Sequence, residues 1–413
     1  VNLLAQIGAV AVAALLCSCA TGRHQKSQAA PVTSPAFAQE ITRLTGQSWS
    51  HGNEVRTLPN GGHFIPAMLK AIRSARKTIT WENFVCVDSQ PVEDFTQAFI
   101  ERAKAGIRVH VVLDDYGCNT YGKHHLQAMR DAGVDLQLYS RWQLYNPFLY
   151  NHRTHRRILV VDGQIGFVGG AGLAYAWDGH AEDSNRWRDT MYEVRGPVVS
   201  QLQSAFNDNW QELTDHLVSG DDYFPALKRA GSLTALSVLG SPKKMPDTIG
   251  STFLSALNSA QKSILISHAY FIPNRPIEKA LMTALKRGVH VEILIPGKHT
   301  DMPICQSVTQ PLMKRLISAG AEVHEFQPCM MHGKLVVIDD YLSIIGSGNL
   351  DQRSFFINDE NNLIITGTTF AKDQRAMHER DKARSLPLNA SKMKLTVLRR
   401  LQGIFGRMVQ HQL

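Results

Sequence analysis

A C-x-x-C cysteine pair, membrane-length apolar runs and a disorder-prone composition are what this sequence lacks. Of its six cysteines, Cys86, Cys118, Cys305 and Cys329 are widely scattered and no C-x-x-C pair occurs, which argues against a zinc site. Scattered cysteines leave one or two disulfides open if the chain is exported. With 44% hydrophobic and 19% charged residues, neither wholesale disorder nor a polytopic membrane protein fits. The one strongly apolar segment, residues 1–19, falls short of the roughly 18 consecutive apolar residues expected of a spanning helix, and no Lys or Arg precedes Arg23. What is present is length enough for two domains, 413 residues. A net charge of +8 and a pI near 9.2 point either to an anionic partner (nucleic acid, a phosphorylated small molecule or an acidic lipid surface) or to a merely solvated basic face.

The segment 1–19 reads as export-type, with Leu3, Leu4, Ile7, Val10, Val12, Leu15 and Leu16 among alanines. Its end, Leu16-Cys17-Ser18-Cys19, resembles a bacterial lipoprotein signal, a resemblance that implies lipid modification of Cys19. The alternative is an uncleaved membrane anchor; either places the body against a bacterial membrane. Residues 20–47 read as a tether. At the other end, residues 368–413 form a basic segment in which Lys392, Lys394, Arg399, Arg400 and Arg407 interleave with Leu395, Leu398, Leu401, Phe405 and Met408. That pattern suits either an anionic membrane interface or a helix docked on the body.

Between these ends the chain repeats itself. Ala71 to Ile79 parallels Ala256 to Ile264, each a helix end running into a strand. Helical spacing follows in Phe95, Phe99 and Ile100 and again in Ile277, Leu281 and Leu285, then the stops Gly106 and Gly288 ahead of new strands. Ala132-Gly133 and Ala319-Gly320 precede strands 135–139 and 322–326, and the short apolar strands Ile158 to Val161 and Leu335 to Ile338 each close on an aspartate. Strands alternating with helices predict an α/β fold with a buried parallel or mixed sheet in each of two pseudo-symmetric halves. The halves span 48–218 and 245–367, joined through a Gly- and Pro-bearing linker at 219–244.

The repeats carry the chemistry. In the second half His332-Gly333-Lys334 leads to Asp339 and, six residues on, Gly346-Ser347-Gly348-Asn349; in the first, His155-Arg156-Arg157 leads to Asp162 and Gly169-Gly170-Ala171-Gly172. Placed on a strand, residues two apart share a face, so His332 and Lys334 address one pocket. There an imidazole can attack phosphorus while the ammonium neutralises a non-bridging oxygen, and Ser347 and Asn349 can donate to the same oxygens. No metal or cofactor is called for.

At these residues the chain resembles the phospholipase D superfamily, in which H-x-K-x4-D-x6-G-S-x-N occurs twice. Within it the sequence looks most like bacterial cardiolipin synthases, on Asn151-His152-Arg153, Trp187-Arg188-Asp189-Thr190, Ala269-Tyr270-Phe271-Ile272-Pro273 and Leu350-Asp351-Gln352-Arg353-Ser354. The resemblance implies two phospholipase D-like α/β/α halves packed around one shared active site. It implies a site of His155, Arg157, Asp162, His332, Lys334 and Asp339, with Asp162 and Asp339 more as supports than as phosphate contacts. It further implies that one histidine becomes a phosphohistidine (His155 by analogy), that the other serves as acid and base, and that Asp189 and Glu360 hold the imidazoles in a useful tautomer. The first motif departs from the pattern: Arg157 replaces lysine, and Gly170 and Gly172 replace serine and asparagine. The lost donors predict weaker phosphate binding in that half or room for a bulkier headgroup.

The expected activity is phosphatidyl transfer from phosphatidylglycerol to a second phospholipid hydroxyl. Hydrolysis by a phospholipase D or phosphodiesterase is the same chemistry with water, and the altered first motif also admits an inactive lipid-binding paralogue. Two motifs in one chain weigh against a nuclease and hence against nucleic acid as partner.

Overall fold

The computed structural model describes residues 29–140, 151–391 and 393. The apolar segment 1–19 with Cys19, and residues 392 and 394–413 of the basic C-terminal segment, lie outside these residues. Among the described residues no helix is long and apolar enough to cross a membrane, and the four cysteines are free thiols, all buried.

The chain begins with α1 (Pro35–Thr45) and β1 (Ser50–Pro59), then α2 (Gly61–Ser74), β2 (Thr78–Asn83), α3 (Gln90–Lys104), β3 (Arg108–Asp114), α4 (Lys123–Asp131) and β4 (Asp135–Tyr139). Three short strands, β5 (Ile158–Val161), β6 (Ile165–Gly169) and β7 (Thr190–Arg195), and α5 (Val199–Thr214) complete the first half. The second runs β8 (Leu233–Gly240), α6 (Thr248–Ser259), β9 (Ser263–His268), α7 (Arg275–Lys286), β10 (His290–Pro296), α8 (Pro303–Ser318), β11 (Glu322–Phe326), β12 (Lys334–Ile338), β13 (Leu342–Gly346), α9 (Gln352–Phe356), β14 (Glu360–Thr366), α10 (Thr368–Lys382) and β15 (Ser385–Pro387).

The local reasons match the repeat. In α3 the side chains of Phe95 and Phe99 are fully buried, as are Ile277 and Leu281 in α7, so one stripe of each helix covers its sheet. Gly106 and Gly288 follow these helices at φ of +83° and +82°, where a side chain would be strained, and turn the chain into β3 and β10.

The sheet order makes the duplication visible. One half reads β4-β3-β2-β5-β6-β7-β1 and the other β11-β10-β9-β12-β13-β14-β8, with β1 and β8 paired antiparallel where they meet. In each half three strands are parallel, β2-β3-β4 and β9-β10-β11, and the rest antiparallel, a mixed sheet. A third core, with Val160, Val168 and Val194 from the first half against Leu335, Val337 and Leu363 from the second, seals the two halves to each other.

The boundaries differ from the sequence expectation in three places. Residues 35–45, expected as tether, form α1, whose Phe37 and Ile41 are buried with Phe253 and Leu257 of α6. Within the expected linker 219–244 lies β8, the counterpart of β1; the Gly and Pro residues flanking it masked the strand. Past residue 367, α10 buries Phe370 and Met377, and β15 adds an edge strand to β11. In each case burial against distant residues makes an element out of a locally weak pattern.

The motif aspartates serve the fold. Asp162 accepts from the backbone N–H groups of Arg76, Lys77 and Thr78, and Asp339 from those of Gln261, Lys262 and Ser263. Each, at positive φ just past its strand, ties the start of the neighbouring strand, β2 or β9, in register. They stand at the far end of β5 and β12 from the histidines and leave the catalytic set. Replacing Asp339 or Asp162 by Ala is therefore expected to lower stability by about 1–3 kcal/mol, read from urea midpoints, with kcat of the folded protein unchanged; a large fall in kcat at unchanged stability would return them to the site.

Candidate active site

His155 and His332 precede strands β5 and β12 in extended segments rather than lying within them. Each segment is stitched by backbone to the other half. The N–H of His155 donates to the carbonyl of Asp359 at 2.8 Å, and that of His332 to the carbonyl of Arg188 at 2.7 Å. The next residue in each partner segment is a carboxylate, so the pairs form crosswise. His155 Nδ1 meets Glu360 Oε1 at 2.8 Å, and His332 Nδ1 meets Asp189 Oδ2 at 2.6 Å. All four side chains are buried. With Nδ1–H given to a carboxylate, Nε2 of each imidazole is left for chemistry.

The cations repeat one another's geometry. Arg157 donates through Nη1 to the carbonyl of His155 at 2.7 Å, and Lys334 through Nζ to that of His332 at 2.9 Å. The Lys334 ammonium also comes within 3.3 Å of the His332 ring.

The two halves differ in what holds the carboxylate. Glu360 accepts from the hydroxyls of Ser347 at 2.6 Å and Ser354 at 2.7 Å. Ser347, expected to donate to phosphate, thus spends its proton on Glu360, because the turn after β13 lies beside the start of β14. Asn349 is buried with its side-chain oxygen unpartnered among the described residues, and its backbone N–H donates to Ser354. Around Asp189 the donors are the indole N–H of Trp177 at 3.0 Å and the N–H of Thr190 at 2.7 Å.

The glycines explain themselves here, and differently from the expectation of spare room. A Cβ on Gly170 would stand 2.8 Å from Asp189 Oδ1 and 3.2 Å from Lys334 Nζ, and one on Gly172 would meet the Trp177 ring at 2.9 Å. The space a serine and an asparagine would fill holds Trp177 and the reaching lysine of the other half. Trp177 supplies the donor that Gly170 lacks.

Burial is the leading influence on the titration of every group in the cluster. It drives His332 down to about 4, with Lys334 adding to it, and it drives His155 well below the usual imidazole range, with Arg157 and then Lys334 reinforcing it. Burial also lowers Lys334, to about 8. The carboxylates part company: burial lifts Glu360, whereas at Asp189 the burial effect is outweighed by His332 and Lys334, which hold it ionised.

The imidazoles open into one cavity of about 520 Å³ whose lining includes both histidines and Arg157. Its walls are apolar and aromatic. Phe84 lies edge-on to His155 at 4.8 Å, Trp177 and Trp187 each lie 5.4 Å from His332, and Val85, Ala174 and Tyr175 continue the surface. Sequence reasoning did not single out Phe84, Trp177, Tyr270 or Asp301 as site residues. The paired glycines at 170 and 172 were the available signal that a large ring packs there.

Comparisons with known proteins identify the family and the fold. The profile of a family described as "Cardiolipin synthase, PLD-like domain" matches residues 68–210 and 253–382. "Cardiolipin synthase A" of Pseudomonas aeruginosa strain LESB58 is 33% identical over 347 residues, covering 84% of this chain and 70% of that protein. Its namesake from Pseudomonas fluorescens strain Pf-5 is 34% identical over 338 residues, covering 81% and 69%. Among solved structures, a phosphatidylserine synthase of Haemophilus influenzae shares the fold with a TM-score of 0.68 at 14% identity, over 91% of this chain and 100% of that one.

Two expectations follow from the geometry. Because Lys334 is a cation only below its lowered pKa, kcat/KM should fall as pH rises through about 8. Lys334→Arg should remove that limb, and a limb persisting in the variant would assign it to another group. Gly170→Ser, which places here the residue that the second motif carries at Ser347, is expected to displace Asp189 or Lys334 and lower kcat/KM by at least about tenfold, measured beside the melting temperature to separate it from unfolding.

Proposed function

The chain belongs to the family of cardiolipin synthase phospholipase D-like domains, a family of phosphatidyltransferases, and on that footing we propose that it moves a phosphatidyl group from phosphatidylglycerol to a hydroxyl of a second phospholipid through a phosphohistidine. The observation that carries the reading is the pair of buried imidazoles, each oriented by a carboxylate of the opposite half, sharing one apolar-walled cavity.

In the first step the Nε2 lone pair of His155 forms a P–N bond, the P–O bond to the glycerol headgroup breaks, and the Nε2 proton of His332 passes to the departing oxygen. In the second, the incoming lipid hydroxyl gives its proton to His332 as its oxygen attacks phosphorus and the P–N bond breaks. Arg157 and Lys334 face the non-bridging oxygens. What favours His155 as nucleophile is its partner: burial pushes Glu360 up, so it supports a protonated imidazole less than ionised Asp189 does. Burial, then Arg157 and Lys334, hold His155 well below the usual imidazole range with its lone pair free. Asp189 stays ionised and raises the proton affinity of His332 against the burial that holds it low, which supports the acid and base role.

The cavity walls suit acyl-bearing substrates, and the exposed Val87 and Tyr175 among them suit contact with a lipid surface. Cys19 or the apolar segment before it would hold the body there.

Expression in a bacterial host lacking its own synthases should yield cardiolipin in total lipid extracts by mass spectrometry. His155→Ala and His332→Ala should each abolish it, by at least about a thousandfold, and labelled lipid should trap on His155. No cardiolipin, cardiolipin still made by His332→Ala, or phosphatidic acid as sole product would overturn the reading, the last in favour of hydrolysis.

A further inference from the structure

The cavity over the two histidines holds one carboxylate that neither imidazole uses. Asp301, on the loop between β10 and α8, lines it, and the Tyr270 hydroxyl donates to Asp301 Oδ2 at 2.5 Å. The Tyr270 ring in turn stands edge-on to His332, centroids 5.8 Å apart, so this pair lies on the side of the site where an alcohol would leave or enter. Asp301 is exposed, and Val87 and Tyr175, which line the same cavity, are exposed apolar side chains.

A carboxylate here repels the phosphate that Arg157 and Lys334 attract, so it cannot serve the reacting centre itself. What it can take is a hydrogen-bond donor carried beyond the phosphoester, on the headgroup of the alcohol. A carboxylate already fixed by a tyrosine O–H presents its remaining lone pairs in a set direction, which is how a site distinguishes an alcohol bearing a second donor from one without it.

We propose that Asp301, oriented by Tyr270, selects the alcohol by accepting a hydrogen bond from a second hydroxyl or an ammonium on its headgroup. This rests on the transfer reaction proposed above and names what that reaction selects.

The test uses the whole chain with dispersed phosphatidylglycerol as donor and three soluble acceptors: ethanol, which has only the reacting hydroxyl, glycerol and ethanolamine. The unaltered protein should prefer glycerol or ethanolamine to ethanol. Asp301→Asn and Tyr270→Phe should raise KM for the preferred acceptor by about 10- to 100-fold, with kcat and the ethanol reaction unchanged. A loss confined to glycerol assigns the subsite to a hydroxyl, one confined to ethanolamine to an ammonium, and either upholds it. An equal change on all three acceptors, or no change, overturns it. An unaltered protein that transfers to no acceptor defeats the transferase reading first, before any variant is compared, and the inference with it.

Discussion

Two hydrogen bonds that cross the chain's pseudo-symmetry, His155 to Glu360 and His332 to Asp189, are the constraint on which the site depends. Neither half can orient its own histidine. The crossing is enforced one residue away in the backbone, where His155 pairs with Asp359 and His332 with Arg188. It is backed by the shared core of Val160, Val168, Leu335 and Val337. Buried ion pairs across the halves add to it: Arg188 binds Asp381 at 2.8 Å and Arg156 stands 3.9 Å from Asp359. Breaking such a buried pair leaves an uncompensated charge, so these residues hold the two halves at one spacing more by the cost of disruption than by net attraction. Docking of the halves and assembly of the active site are the same event.

Symmetry of backbone is combined with asymmetry of side chains. Around Glu360 two serine hydroxyls hold the carboxylate, and burial raises it toward neutrality. Around Asp189 an indole and a backbone N–H hold it, the Lys334 ammonium stands near, and it remains charged. Two imidazoles of equal origin thereby acquire carboxylate partners of unequal charge, which suits the proposed transfer through one nucleophile and one acid and base. The departures of the first motif are therefore a redistribution: Gly170 and Gly172 surrender side chains so that Trp177 and Lys334 can occupy their volume.

Much of this was legible in the sequence because it is local. Periodicity at Phe95 and Phe99, glycine stops at 106 and 288, and strands closed by Asp162 and Asp339 all follow from residues within a turn or two of one another. The duplicated histidine motif marked both nucleophile candidates for the same reason. Less legible were elements with weak local patterns: α1 and β8 exist because Phe37, Leu236 and Val238 find partners far along the chain.

The sequence by itself determined the duplicated α/β halves, the two histidines with their cations, and phosphodiester chemistry, since each is written in spacing along a strand or helix. Only the tertiary structure decided which carboxylate serves which histidine, that Ser347 supports Glu360 while Asp162 and Asp339 brace strands, and that Tyr270 and Asp301 stand over His332. Those contacts join residues such as 155 and 360, or 189 and 332, whose separation along the chain carries no periodic signal; they arise where two buried faces fit together.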